Sequence, residues 1–107
     1  MAKGVLVAHT APAAGRDQEY NDWYDDVHVV DILKLAGFTS ARRFKRIDTE
    51  TDTPYLTIYE VEADDLPAVF ASLGPAVRNG EIRMSDVLSR NPGPVMGLYE
   101  LLNEATA

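Results

Sequence analysis

The chain has 107 residues, enough for one domain with one modest core, and no cysteine, which excludes disulfide staples and thiolate chemistry. Seventeen acidic against ten basic residues leave a net charge of −7, which argues against general binding to phosphate backbones. Apolar residues make up 46%, no run approaches the roughly 18 a membrane span requires, and Met1–Val7 is too short and too soon polar for a signal peptide. The expectation is a single folded domain over residues 1–107, cytoplasmic, with neither nucleic acid nor membrane as a partner.

Gly4–Thr10 is a short apolar run and predicts a strand. After the small-residue loop Ala11–Gly15, Asp17 is placed to cap a helix with acidic residues in its first turn. Tyr20, Trp23, Tyr24 and Val27 then recur at i, i+3, i+4 and i+7, so the helix should run from about residue 17 to the low thirties, with Gly37 closing the region. Phe38–Ile47 predicts the second strand and Asp48–Pro54 a polar hairpin loop. Tyr55–Glu62 is β-branched and aromatic and predicts the third strand. Ala63-Asp64-Asp65 supplies a cap, Pro67 a first turn, and Leu66, Val69, Phe70 and Leu73 an inward stripe stopped by Gly74-Pro75. Glu81–Arg90 predicts a further short helix with Met84, Val87 and Leu88 inward. Asn91–Pro94 breaks the chain, and Val95–Leu102 predicts the last strand.

This order is the β-α-β-β-α-β plan of a ferredoxin-like α+β fold, an antiparallel sheet with helices on one face. Strict alternation would put Phe38, Ser40, Arg42, Phe44 and Arg46 on one side of the second strand and Thr39, Ala41, Arg43, Lys45 and Ile47 on the other. Neither side is purely polar. A half-apolar open face needs a partner, so two sheets packed face to face, a homodimer, is the expected assembly.

The segment Glu19–Leu33 (EYNDWYDDVHVVDIL), followed by Gly37–Phe44 (GFTSARRF), resembles the dimeric α+β-barrel superfamily. Within it the likeness is to the EthD-like and REDY-like (HapK-like) proteins, which carry a Y-N-x-W-Y-x-x-x-H-x-P-D helix and then P-G-F-x-x-A-R-R-Y. Val30 and Ala36 stand here where those families have proline, which would leave the helix longer. The likeness covers the first half of the chain; the second half agrees in element order. It implies the fold, the dimer and a cavity between sheet and helices. The superfamily holds cofactor-free oxygenases, polyketide cyclases, dehydratases, isomerases and haem enzymes, so fold alone does not choose a reaction.

His28 is the first candidate for chemistry. On an ideal helix it lies one turn after Tyr24 and about 80° from Tyr20, at the border of the apolar stripe, where an imidazole can exchange a proton near neutral pH. Asp31 falls inside the stripe. It either orients His28, acts as a base with a raised pKa, or caps a new turn where the helix breaks near Val29-Val30. Tyr24 carries a hydroxyl that can donate to a substrate carbonyl, while Tyr20 and Trp23 read as core or cavity wall. His9 ends the first strand on the side of Val5 and Val7, taken as the buried face, and so shares a space with His28. Arg42 and Arg43 point to opposite faces; the inward one would bind an acid or enolate, or pair with Asp31 or Glu60. Tyr59 and Tyr99 are cavity-lining candidates on the later strands. No glycine-rich phosphate loop, nucleotide fingerprint or Ser-His-Asp set is present, and no ligand spacing suggests a metal.

These residues suit a cofactor-independent enzyme performing acid/base chemistry (cyclisation, dehydration or isomerisation) on an aromatic or polyketide-like molecule. His28 with Asp31 or a tyrosine would move the proton, and an arginine would hold the enolate. The alternatives are a cofactor-free oxygenase on the same scaffold, a non-catalytic accessory protein that binds a pathway intermediate, and a structural dimer without a cavity.

Overall fold

Alternation in the first apolar run builds the central strand. In the computed structural model, which describes residues 1–107, β1 spans Ala2–Thr10 and buries Gly4, Leu6, Ala8 and Thr10 while Val5, Val7 and His9 face away. The helix-covered face is therefore the even-numbered one. The expectation for His9 is corrected here: its side chain lies exposed on the opposite face from His28.

β2 (Phe38–Lys45), β3 (Tyr55–Ala63) and β4 (Val95–Glu100) complete a four-stranded antiparallel sheet in the order β2-β3-β1-β4. This is the ferredoxin-like plan, and the fold class expected from the sequence holds. In β2 a bulge between Phe38 and Ser40 breaks strict alternation. Phe38 consequently sits opposite Val61, on the same face as Ala41 and Arg43, and is buried. The register also settles the arginines: Arg43 lies opposite the buried Thr57 and faces the helices, whereas Arg42 lies opposite Ile58 and faces out.

The first helical rod consists of α1 (Asp17–Trp23), a π-helical turn (Tyr24–His28) and α2 (Val29–Ile32). Arg16, not Asp17, occupies the N-cap, and no side chain caps it. Val30 lies within the continuous rod, which runs to Ile32 without a break. Gly37, at φ +94°, then turns the chain into β2. A Cβ there would come within 2.8 Å of Val69 Cγ2. Gly37→Ala is expected to lose about 1–3 kcal/mol in urea unfolding, because strain and clash act together; an unchanged midpoint would contradict this.

Asp65 caps α3 (Leu66–Ala71) by accepting from Ala68 N at 3.2 Å. Leu66, Val69 and Leu73 are buried as expected, but Phe70 is 37% exposed. Gly74-Pro75 does not stop the stripe. It lies in the first turn of a second segment, α4 (Leu73–Arg78), where proline's missing N–H costs little. The helix expected over Glu81–Arg90 is absent. The backbone groups of this stretch bond elsewhere: Glu81 N and Ile82 N to Ala76 O, Ala13 N to Val87 O, and Ser89 N to Ala11 O. Val87 and Leu88 are buried there, but Met84 is 48% exposed.

Two apolar clusters result. One gathers Leu6, Ile32, Tyr59, Val61, Leu66 and Leu73 with their neighbours; the other gathers Tyr20, Tyr24, Tyr55, Val87 and Leu88.

Candidate functional site

The π-helical turn places the site. An ideal α-helix drifts by about 40° at each i+4 step, so a line of such residues leaves the buried face within three steps. Here Val29 N donates to Tyr24 O, five residues back, and the wider turn cancels part of that drift. Tyr20, Tyr24 and Ile32 are 0%, 1% and 4% exposed, and His28 falls on the same line; its residue as a whole is half-buried, as is Val27, expected on the stripe, but its Nδ1 is fully enclosed. His28 therefore stands further inward than an ideal helix would put it.

His28 borders a cavity of about 130 Å³ at the seam between the two clusters. Its floor is Leu6, Ala8 and Met96 of the sheet, its inner wall Tyr24, Tyr59 and His28, and its outer wall Ile82, Met84 and Leu88. The lining is apolar save for a few groups, the usual character of a small-molecule site, although the space suits one ring rather than the several hundred Å³ of larger ligands.

Several buried polar atoms in this region have no hydrogen-bond partner: His28 Nδ1, Tyr59 Oη, Thr57 Oγ1 and Arg43 Nε. Tyr59 and Thr57 are each 1% exposed. Orphaned buried groups are costly and uncommon, and of these His28 and Tyr59 belong to residues that line the cavity. Burial pushes the His28 imidazole down to about 4, with Asp31 pulling it up and Arg43 pushing it further down. It is neutral at pH 7. The same burial raises the Tyr59 phenol, which stands beside that of Tyr24.

The other expected site residues divide clearly. Tyr20 shares a short hydrogen bond with Thr10 Oγ1, and burial pushes its phenol up to about 12; it is core. Trp23 stacks on His28 with ring centroids 4.6 Å apart and donates Nε1–H to Arg83 O at 3.3 Å. Arg43 donates to Asp25 Oδ1 at 2.6 Å and Asn21 Oδ1 at 2.9 Å, with its guanidinium 4.4 Å from the centre of the Tyr24 ring. It braces Tyr24 from behind and does not line the cavity. Arg42 lies over Phe44 on the outer face, and Tyr99, opposite Val5, is there too and 53% exposed.

Asp31 is 3% exposed, and Arg83 binds both its oxygens: Nε and backbone N to Oδ2, and Nη2 to Oδ1, each at 2.9 Å. Those bonds hold its pKa down to about 2, opposite to the raised value expected of a base. No hydrogen bond joins it to His28. Arg83 had no signal of its own in the sequence, beyond the rule that a carboxylate on a buried face requires a cation from somewhere.

No family model matches the chain, and no solved structure matches it. The chain is 31% identical over 61 residues to a protein of Stachybotrys chlorohalonatus (strain IBT 40285) described as "Core atranone cluster (CAC) protein 1". The match covers 55% of this chain and 26% of that protein. The chain thus spans about a quarter of the relative's length.

Proposed function

We propose that this chain binds a small aromatic or enolisable molecule in the cavity beside His28 and moves a proton on it without a cofactor, in the manner of EthD-like proteins. The observation that carries the reading is the unpartnered, buried Nδ1 of a neutral imidazole at the wall of an apolar cavity. His28 accepts or returns the proton. Tyr59, whose hydroxyl also lacks a partner, and Tyr24 beside it hold the substrate oxygen on which charge develops. The 31% identity to a protein named for the atranone cluster supports a role on a small organic molecule.

The test is turnover of phenolic and β-keto compounds with oxygen monitored. Product without oxygen uptake supports proton transfer, uptake replaces it with the oxygenase reading, and binding without turnover makes the chain an accessory protein.

The reading includes a homodimer. The outer sheet face presents Val5, Val7, Leu56 and Ile58, half-buried, with Phe44, Val95 and Tyr99 at 44%, 59% and 53% exposure. A second copy covering this face would remove that surface from water. Sedimentation is expected to give twice the chain mass for the native protein and the monomer mass for Ile58→Asp; a native monomer would defeat the dimer.

A further inference from the structure

Residues 79–94 form the outer wall of the cavity without helix or strand of their own. Ile82 and Met84, which flank Arg83, both line it. Ile82 and Val87 are themselves anchored, Ile82 N to Ala76 O and Val87 O by Ala13 N; over the four residues between them, the polar ties to the rest of the chain fall in three places. Asp31 takes the Arg83 N–H and guanidinium, Trp23 Nε1–H holds the Arg83 carbonyl, and Arg16 pairs with Asp86 at 3.0 Å. The last pair is exposed and worth little. The peptide of Arg83 is thus clamped at both ends by residues on either side of His28: Trp23, which stacks on the imidazole, and Asp31, three positions after it.

We infer that Asp31 and Arg83 form a latch that holds this segment in place as a wall of the cavity, making Asp31 a positioning residue rather than the proton-transfer partner of His28. The inference rests on reading the cavity as a ligand site. The latch is asymmetric. The Asp31 side chain is 4% exposed, whereas the Arg83 side chain is 59% exposed and reaches in from the solvent side. Without the guanidinium fork a nearly buried carboxylate loses most of its compensation, and the segment must move to let water reach it. Met84 already meets solvent, so the step that matters is water passing Ile82, which is 2% exposed; from there it also reaches His28. The charged and titratable groups around the imidazole are Tyr24 and Asp31 from its own rod, Tyr59 from β3, Arg43 from β2, and Arg83 through Trp23.

The experiment compares the native chain with Arg83→Lys and Arg83→Met by NMR titration of the His28 ring, assigned with a His9→Asn variant, and by phenol binding. Lysine keeps the charge and loses the planar fork, so a shift in Arg83→Lys cannot come from charge removal. The His28 midpoint is expected to rise in Arg83→Lys, by about one unit or more in Arg83→Met, and phenol affinity to fall roughly tenfold as the wall loosens. A folded Arg83→Lys with unchanged His28 midpoint and unchanged phenol affinity overturns the latch, whether or not Arg83→Met folds. If the native chain does not bind phenol, the ligand-site reading fails, while a risen midpoint in Arg83→Lys still supports the latch.

Discussion

Replacing His28 by glutamine is expected to lower turnover by about 10²–10⁴-fold, the usual worth of one placed acid/base group. The variant should leave the fold and phenol affinity nearly unchanged, because the cavity is bounded mainly by apolar groups and glutamine preserves a polar terminus at its wall. The native ring is held neutral by burial, so it is ready to accept a proton at pH 7. A weak base in the free protein becomes a stronger one once an oxyanion lies beside it, since an adjacent negative charge favours the imidazolium. The acid limb of kcat/KM should consequently fall well below pH 6.5, the usual midpoint of histidine, and should vanish in His28→Gln. If turnover in His28→Gln stays within threefold of native, the proton moves elsewhere, and the tyrosines become the groups to test.

The second large effect is on stability against pH. In the folded chain His28 titrates at about 4, and in the unfolded chain near 6.5. Between those values the unfolded chain binds a proton that the folded one refuses, so acidification through this window favours unfolding. The loss begins as pH falls below about 6.5 and is complete below about 4, with a ceiling of about 3 kcal/mol. The displaced carboxyls act lower on the scale. Asp31, bonded to Arg83, Glu19, bonded to Arg16, and Asp48, bonded to Arg46, each start from ordinary values of 4.5 or less and are lowered in the fold. Their contributions persist above those values and fade only as pH drops through the lowered ones. Urea midpoints at pH 7.5 and about 5, inside the His28 window and above the carboxyl values, therefore report mainly on His28. The native chain should lose stability between the two, and His28→Phe should lose much less. An equal fall in both proteins would assign the effect to other groups.

The depth of the cavity follows from small residues as much as large ones. Ala8, on the central strand opposite Met96, leaves space beneath the π-helical turn that a larger side chain would fill. Around that space, Tyr24, Tyr59 and Arg43 brace one another, the guanidinium lying against the Tyr24 ring and anchored outward by Asp25. The arginine expected to hold an enolate thus acts on the far side of Tyr24, fixing the wall rather than touching what lies within it.

The β-α-β-β-α-β order, the four strands and the inward Tyr20, Tyr24 and Tyr59 were legible in the sequence, because these rest on local periodicity, caps and turn residues that act over a few positions. Asp65 capping α3 and Gly37 turning the chain are of that kind. The helix expected over Glu81–Arg90 and an inward Tyr99 were not borne out. The sequence also marked His28 and Asp31 as unusual, since polar groups beside an apolar stripe stand out without any structure. What those two do was decided only by the tertiary structure. The π-helical turn that draws His28 inward breaks the period a sequence reading assumes. Which face of β1 is buried depended on where the helices lie: Leu6, Ala8 and Thr10 went under them, although Val5, Val7 and His9 alternate as regularly. The partner of Asp31 is Arg83, 52 positions away in a segment whose backbone bonds go to Ala11, Ala13 and Ala76 instead of closing a helix. Such contacts join residues far apart in the chain, and no local pattern announces them.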